Sequence, residues 1–254
     1  MKFCPQVIYP DTRAHKDTRH KDASPMKKSS NNHRARRLAL AMIDSGISLV
    51  AVDFDRTIVD VHTGGRWKQP SSVLASHVRP FFKKFLCEAQ HVGLWVAVVT
   101  FSAQTQLVAD TMSISLGGES QIKRCFLRGQ DSGWTPQKTG AGNWHLNLSK
   151  GKLGHIYSVV KHIQKLTGEC IAPSEVFYID DDLKNVDIAR KSGLIHSCWC
   201  PSTYEPNSAN KLIWKELEDK YLRKQSLNIL GTTADVDGNI GSGSKSLTKT
   251  CVMC

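Results

Sequence analysis

Two aspartates with one residue between them close an apolar run: Asp53-Phe54-Asp55-Arg56-Thr57 follows the stretch 47–52. Thr100 ends a second such run, 94–99, and is followed by Phe101 and Ser102. Asp180-Asp181-Asp182 ends a third, 175–179, with Asn185 close behind, and Lys150 and Lys152 lie between these last two. Converging carboxylates repel one another, so a stable cluster of them needs a cation. Hard oxygen ligands favour Mg2+, which takes a few carboxylates and keeps waters for phosphate. No histidine joins the group, which argues against zinc. A carboxylate can attack phosphorus and form an aspartyl-phosphate, dividing one hard displacement into two. Asp53 is placed for that attack at a strand tip. Asp55 leaves the same face of an extended segment. It would protonate the leaving oxygen and then activate water. The metal and a lysine would neutralise charge on the phosphoryl oxygens, and Thr100 would hold one of them by its hydroxyl.

Those residues need a scaffold that brings strand ends together. The run 47–54 has strand length and no alternation, as expected of a strand buried on both faces. Runs 94–99, 122–127, 175–179 and 194–198 read the same way. Helices are expected over 34–45, from Pro80 to His91, from a Ser102 cap to Leu116, over 153–166, 183–192 and 208–225. Alternating strands and helices predict an α/β fold, a Rossmann-like three-layer sandwich around a central parallel sheet. In such sheets ligands sit beyond the carboxyl ends of the strands, where the chemical residues fall.

Four segments also resemble, in order, the motifs of the haloacid dehalogenase (HAD) superfamily. Asp53-Phe54-Asp55-Arg56-Thr57 resembles the first. Val98-Val99-Thr100-Phe101-Ser102, with Arg79-Pro80 and Gly93 upstream, resembles the second. Lys152 resembles the third, and Tyr178-Ile179-Asp180-Asp181 with Asn185 the fourth. The resemblance implies a phosphatase, because an Asp stands two residues after the nucleophile. It implies catalytic roles for Asp53, Asp55, Thr100 and Lys152; substrate contacts are expected from Arg56, Thr57, Thr100, Phe101, Ser102 and Lys152. It implies Mg2+ held by Asp53, the Asp55 backbone carbonyl and the pair Asp180 and Asp181, with Asp181 the favoured direct ligand and Asn185 in support. The stretch from Lys152 through His155 to the acidic pair is similar to the magnesium-dependent phosphatase-1 group, which includes proposed protein-tyrosine and sugar-phosphate phosphatases. Arg56 departs from the pattern, since many relatives carry Gly there; its guanidinium would contact substrate or pair with a carboxylate.

Neither the gap from Thr57 to Thr100 nor that from Thr100 to Lys152 holds a full lid domain, so a minimal or absent cap is expected. Residues 129–149, with Trp134, Trp144 and His145, form the flap candidate. Residues 61–70, with His62, Arg66, Trp67 and Lys68, are expected to shape the entrance. The domain is expected over 34–225, between a leader at 1–33 and a Gly/Ser-rich tail at 226–254. The net charge is +11, and most of the excess lies in the leader and the start of the first helix. That leader points to nucleic acid or an anionic surface as a secondary partner, with a solvated tail as the simpler reading. Scattered cysteines argue for reduced thiols and a cytoplasmic location, and Cys198-Trp199-Cys200 for buried thiols rather than half a zinc site. No transmembrane run is present. The ending Cys251-Val252-Met253-Cys254 has the outline of a prenylation signal. The expected substrate is a phosphorylated small molecule or phosphoprotein; the alternatives are a catalytically weak scaffold of the same fold and a nucleic-acid-associated phosphatase.

Overall fold

The computed structural model describes residues 30–118, 124–130, 151–194, 196–202 and 211–222. Five strands form one parallel sheet: β1 (Leu49–Val52), β2 (Trp95–Val99), β3 (Cys125–Arg128), β4 (Val176–Asp180) and β5 (His196–Trp199), in the order β3-β2-β1-β4-β5. β1 is central. Leu49 to Val52 are level with Trp95 to Val98 on one side and with Val176 to Ile179 on the other.

Alternate residues of these apolar strands enter opposite layers. Val50, Val52, Val96, Val98, Phe177 and Ile179 face one core. Leu49, Ala51, Ala97, Val99, Val176 and Tyr178 face the other. The first core is covered by α1 (Ser30–Asp44), α3 (Pro80–His91), α4 (Thr105–Leu116) and a helix at residues 211–222. The second is covered by α5 (Leu153–Thr167) and α6 (Leu183–Lys191). Both faces are therefore dry, which is why the strands carry no polar alternation. Phe81, Phe82 and Phe85 of α3 are fully buried, each worth roughly 1.5–3 kcal/mol of transfer free energy. Phe81 stacks on Phe85 and meets Trp214 edge-on. Arg34 of α1 makes a two-pronged ion pair with Glu218, joining that helix to 211–222.

The observed elements refine the expected ones. β1 stops at Val52, and Phe54 belongs to the turn beyond it. α4 starts at Thr105, not at a Ser102 cap; the Ser102 hydroxyl instead accepts the Gln104 N–H at 3.1 Å. A short helix, α2 (Ser71–Ser76), occupies part of the gap after the first motif. The leader before residue 30, flap residues 131–149, the C-terminal tail with Cys251, and the ends of the 208–225 helix lie outside the described residues. Among the described residues no helix is long and apolar enough to cross a membrane. Cys198 and Cys200 are buried free thiols.

The order in which strands are added reverses between β1 and β4. β1 leads outward to β2 and β3, whereas β4 leads to β5 on the other side. The crevice at that reversal is where such sheets hold ligands.

Candidate active site

Asp53 follows β1 at the reversal point. Its N–H continues the ladder to the Ile179 carbonyl at 2.9 Å, and its side chain is almost fully buried. The chain then turns sharply over Phe54–Ile58. Asp55 stays extended, with φ −65° and ψ 131°, but Arg56 is left-handed, with φ 59° and ψ −6°. That conformation costs a non-glycine residue about 1 kcal/mol. The Arg56 N–H donates to Val61 at 2.9 Å, and its carbonyl accepts from Arg79 Nη2 at 2.8 Å. An isolated antiparallel bridge between Val59 and Val78 closes the turn.

Asp53, Asp180 and Asp181 each offer a carboxylate oxygen within 4.8 Å of the others. Lys152, just before α5, places its ammonium between Asp53 Oδ1 and Asp180 Oδ2, the latter at 3.0 Å. Asp180 is fully buried and held from several sides. Its Oδ2 also accepts from Tyr178 Oη and from Asn185 Nδ2 at 3.2 Å, and its Oδ1 accepts the Asp182 N–H at 2.8 Å. Asp181 is half-buried and faces the cleft. Asp182 caps α6, accepting the Lys184 N–H at 2.9 Å. Gly151, at φ +54°, lets the Lys152 segment approach α6; a Cβ there would lie 2.9 Å from Asn185 Oδ1.

Asp55 lies outside that carboxylate cluster. Its Oδ1 accepts from the Thr63 N–H at 3.2 Å and the Thr63 hydroxyl at 2.8 Å, and His62 Nδ1 lies 3.3 Å from its Oδ2. Asp53 and Asp55 thus both line the cleft with different neighbours and different freedom.

The remaining expected residues divide into two groups. Thr100, Phe101 and Ser102 follow β2 and line the cleft. The Thr100 hydroxyl accepts the Ser102 N–H at 3.0 Å. The Phe101 ring meets His155 edge-on, and Lys152 Nζ lies 5.4 Å from its centroid. Thr57 is fully buried and does not line the cleft; its hydroxyl points to Asp53 Oδ2 at 3.4 Å. It therefore supports the carboxylate instead of facing a ligand. The cleft encloses about 850 Å3, and its rim carries Arg56, His62 and Arg66. Trp67 sits deeper, its backbone held by the Gln104 amide at 2.7 and 3.0 Å.

Electrostatics agree with the donor set. Burial raises the Asp53 carboxyl well above its ordinary value; Lys152 opposes this, and Asp180 and Asp181 add to the rise. Asp181 is also raised, by burial first and by Asp180. Burial alone would lower Lys152, but Asp53 and Asp180 outweigh it and hold the ammonium charged. Ionised together, the three carboxylates against one ammonium would leave two excess negative charges, and a divalent cation is what would favour that ionised state. The all-oxygen donors suit a hard ion such as Mg2+.

Three contributors stand outside the residue types singled out for chemistry. Thr63 is eight residues from Asp55, and no periodicity marks it. Arg79 adjoins a recognised motif, but its reach to Arg56 exists only in three dimensions. Tyr178 did carry a signal: a tyrosine two residues before Asp180 on a buried strand shares its face, and a buried phenol needs a partner.

No family model matches the chain, and no curated protein does. Among solved structures, the HAD domain of the effector protein Lem4 from Legionella pneumophila is similar, at 16% identity and TM-score 0.39, covering 66% of this chain and 93% of that one. An inactive mutant of the same domain gives 15% identity and TM-score 0.40, covering 70% and 98%. At those scores the fold assignment rests on the sheet order and the two packed layers: the chain is an α/β three-layer sandwich with a central parallel sheet.

Proposed function

We propose that this protein is a HAD-type phosphatase that hydrolyses phosphomonoesters through an aspartyl-phosphate on Asp53. One observation carries this reading: Asp53, Asp180, Asp181 and Lys152 converge at the sheet's reversal point, while Asp55 is held separately at the same cleft. A bare carboxylate cluster would repel itself, so the arrangement is built for a cation and an anion together.

In the first half-reaction an Asp53 oxygen attacks phosphorus and the bond to the leaving oxygen breaks. Asp55, protonated, gives its proton to that oxygen, and the alcohol departs. In the second half, water attacks phosphorus, Asp55 takes the water's proton, and the bond to Asp53 breaks. Inorganic phosphate leaves and both aspartates return to their starting states. Lys152 and the Thr100 hydroxyl stabilise the phosphoryl oxygens as charge develops. Asp53, the Asp55 backbone carbonyl and Asp181 would hold Mg2+, with Asp180 and Asn185 in support, and the bound ion would supply further neutralisation of phosphoryl charge. The approach to this site is minimally capped, and its substrate is a phosphorylated small molecule or phosphoprotein.

The test is hydrolysis of p-nitrophenyl phosphate by purified protein with and without Mg2+. Turnover that requires Mg2+ and is lost in Asp53→Asn supports the reading. Turnover unchanged by that substitution rules out the nucleophile, and no turnover in the wild type favours a binding protein of the same fold.

A further inference from the structure

Arg56 is the only non-glycine residue with positive φ among the described residues. Glycine would take that conformation without strain, so the turn geometry does not call for arginine. A strained residue beside a reaction site points to what its side chain does. The Arg56 side chain is exposed and lines the cleft, and its charge acts on Asp181. Arg66 is also exposed and lines the same cleft, carried there by the segment that holds Asp55. Neither guanidinium makes an ion pair or hydrogen bond within the described residues, whereas Arg34, Arg79, Arg128 and Arg190 all do. Two guanidiniums on one rim, unpaired among the described residues, offer planar donors suited to carboxylate or phosphate. Lys152, much deeper, is already engaged by Asp53 and Asp180 and belongs to the reacting centre.

We infer that Arg56 and Arg66 bind a second anionic group on the substrate, so that the preferred substrate is a phosphomonoester carrying a carboxylate or further phosphate beside the scissile group. This rests on the phosphatase reading above and narrows its substrate class. The strain at Arg56 is then explained: a glycine would complete the turn but leave the rim with one cation fewer. The second anion could come from a small metabolite or from acidic residues beside a phosphorylated side chain. The shared chemistry is the same, and matched substrate pairs separate the two.

The experiment measures kcat/KM for 3-phosphoglycerate against glycerol 3-phosphate, and for a phosphoserine peptide flanked by Asp against the same peptide flanked by Asn. The wild type should prefer the two-anion member in at least one pair by roughly tenfold, the worth of one charge-assisted contact. That ratio should fall towards one in Arg56→Gly and in Arg66→Ala, and with rising ionic strength. Arg56→Gly relieves the backbone, so its thermal midpoint should be no lower than wild type, which checks that the variant folds. Absence of preference in both pairs overturns the inference. So does a preference that survives both substitutions, or hydrolysis of p-nitrophenyl phosphate without hydrolysis of any of the four. Failure to hydrolyse p-nitrophenyl phosphate as well counts against the phosphatase reading and removes the inference with it.

Discussion

Arg79 is 1% exposed, and its guanidinium donates through Nη2 to the backbone carbonyl of Arg56 at 2.8 Å. The Arg79 N–H also donates to the Ile58 carbonyl at 2.9 Å. One residue at the start of α3 therefore holds both limbs of the turn that carries Asp55 and Arg56. Replacing Arg79 by Met keeps apolar volume and removes the donor. Urea unfolding of Arg79→Met should lose about 1–3 kcal/mol, because a charged hydrogen bond goes and a carbonyl loses its partner. Turnover should fall with it. An unmoved midpoint together with unmoved turnover would mean that the turn holds itself.

The excess negative charge around Asp53 predicts a cation-dependent stability. Thermal melts after chelation should give the lowest midpoint, and added Mg2+ should raise it. At a hundredfold excess over the dissociation constant the gain is about 2.7 kcal/mol. Asp181→Asn removes one of the three carboxylates and should remove most of that gain. Equal Mg2+ stabilisation in Asp181→Asn and wild type would exclude Asp181 as a ligand.

Thr63 addresses Asp55 with both its N–H and its hydroxyl, the latter at 2.8 and 3.0 Å from the two carboxylate oxygens. Thr63→Val keeps the shape and deletes the hydroxyl. Loss of a positioning contact of this kind should lower kcat by about 10-fold or more with KM little changed. Thr63→Ser, which restores the hydroxyl, should recover most of it. A change confined to KM would assign Thr63 to substrate binding instead.

His155 lies under Phe101, and its imidazole is pushed down to about 4, by burial first and by the charges of Lys152 and Arg128. In the unfolded chain it titrates near 6.5. Between those values the unfolded state binds more protons than the folded one, so stability falls as pH falls. The loss begins near the unfolded value and is complete below the folded one. It should reach about 3 kcal/mol. Denaturation midpoints measured across that window should slope less in His155→Asn than in wild type; parallel slopes would remove His155 as the cause.

The sheet and the convergence of its strand-end carboxylates were legible in the chain because each follows from local patterning. The strands at 49–52, 95–99 and 176–180 carry apolar residues at every position except the terminal Asp180. Such runs have no wet face, so only a parallel sheet covered on both sides suits them. A polar residue that ends each run must then emerge at one edge, which brings Asp53, Thr100 and Asp180 together. The start of α4, the presence of α2 and the buried seat of Thr57 were not legible, because each is decided by contacts with distant chain. Above all, three consecutive aspartates look alike in sequence. Tertiary structure alone gives Asp180 a dry seat among Lys152, Tyr178 and Asn185, turns Asp181 into the cleft, and sets Asp182 on the end of α6. Periodicity determines which way a side chain points, but the partner waiting there comes from another part of the chain. The same reason separates Asp55, tied to Thr63, from Asp53, tied to Lys152.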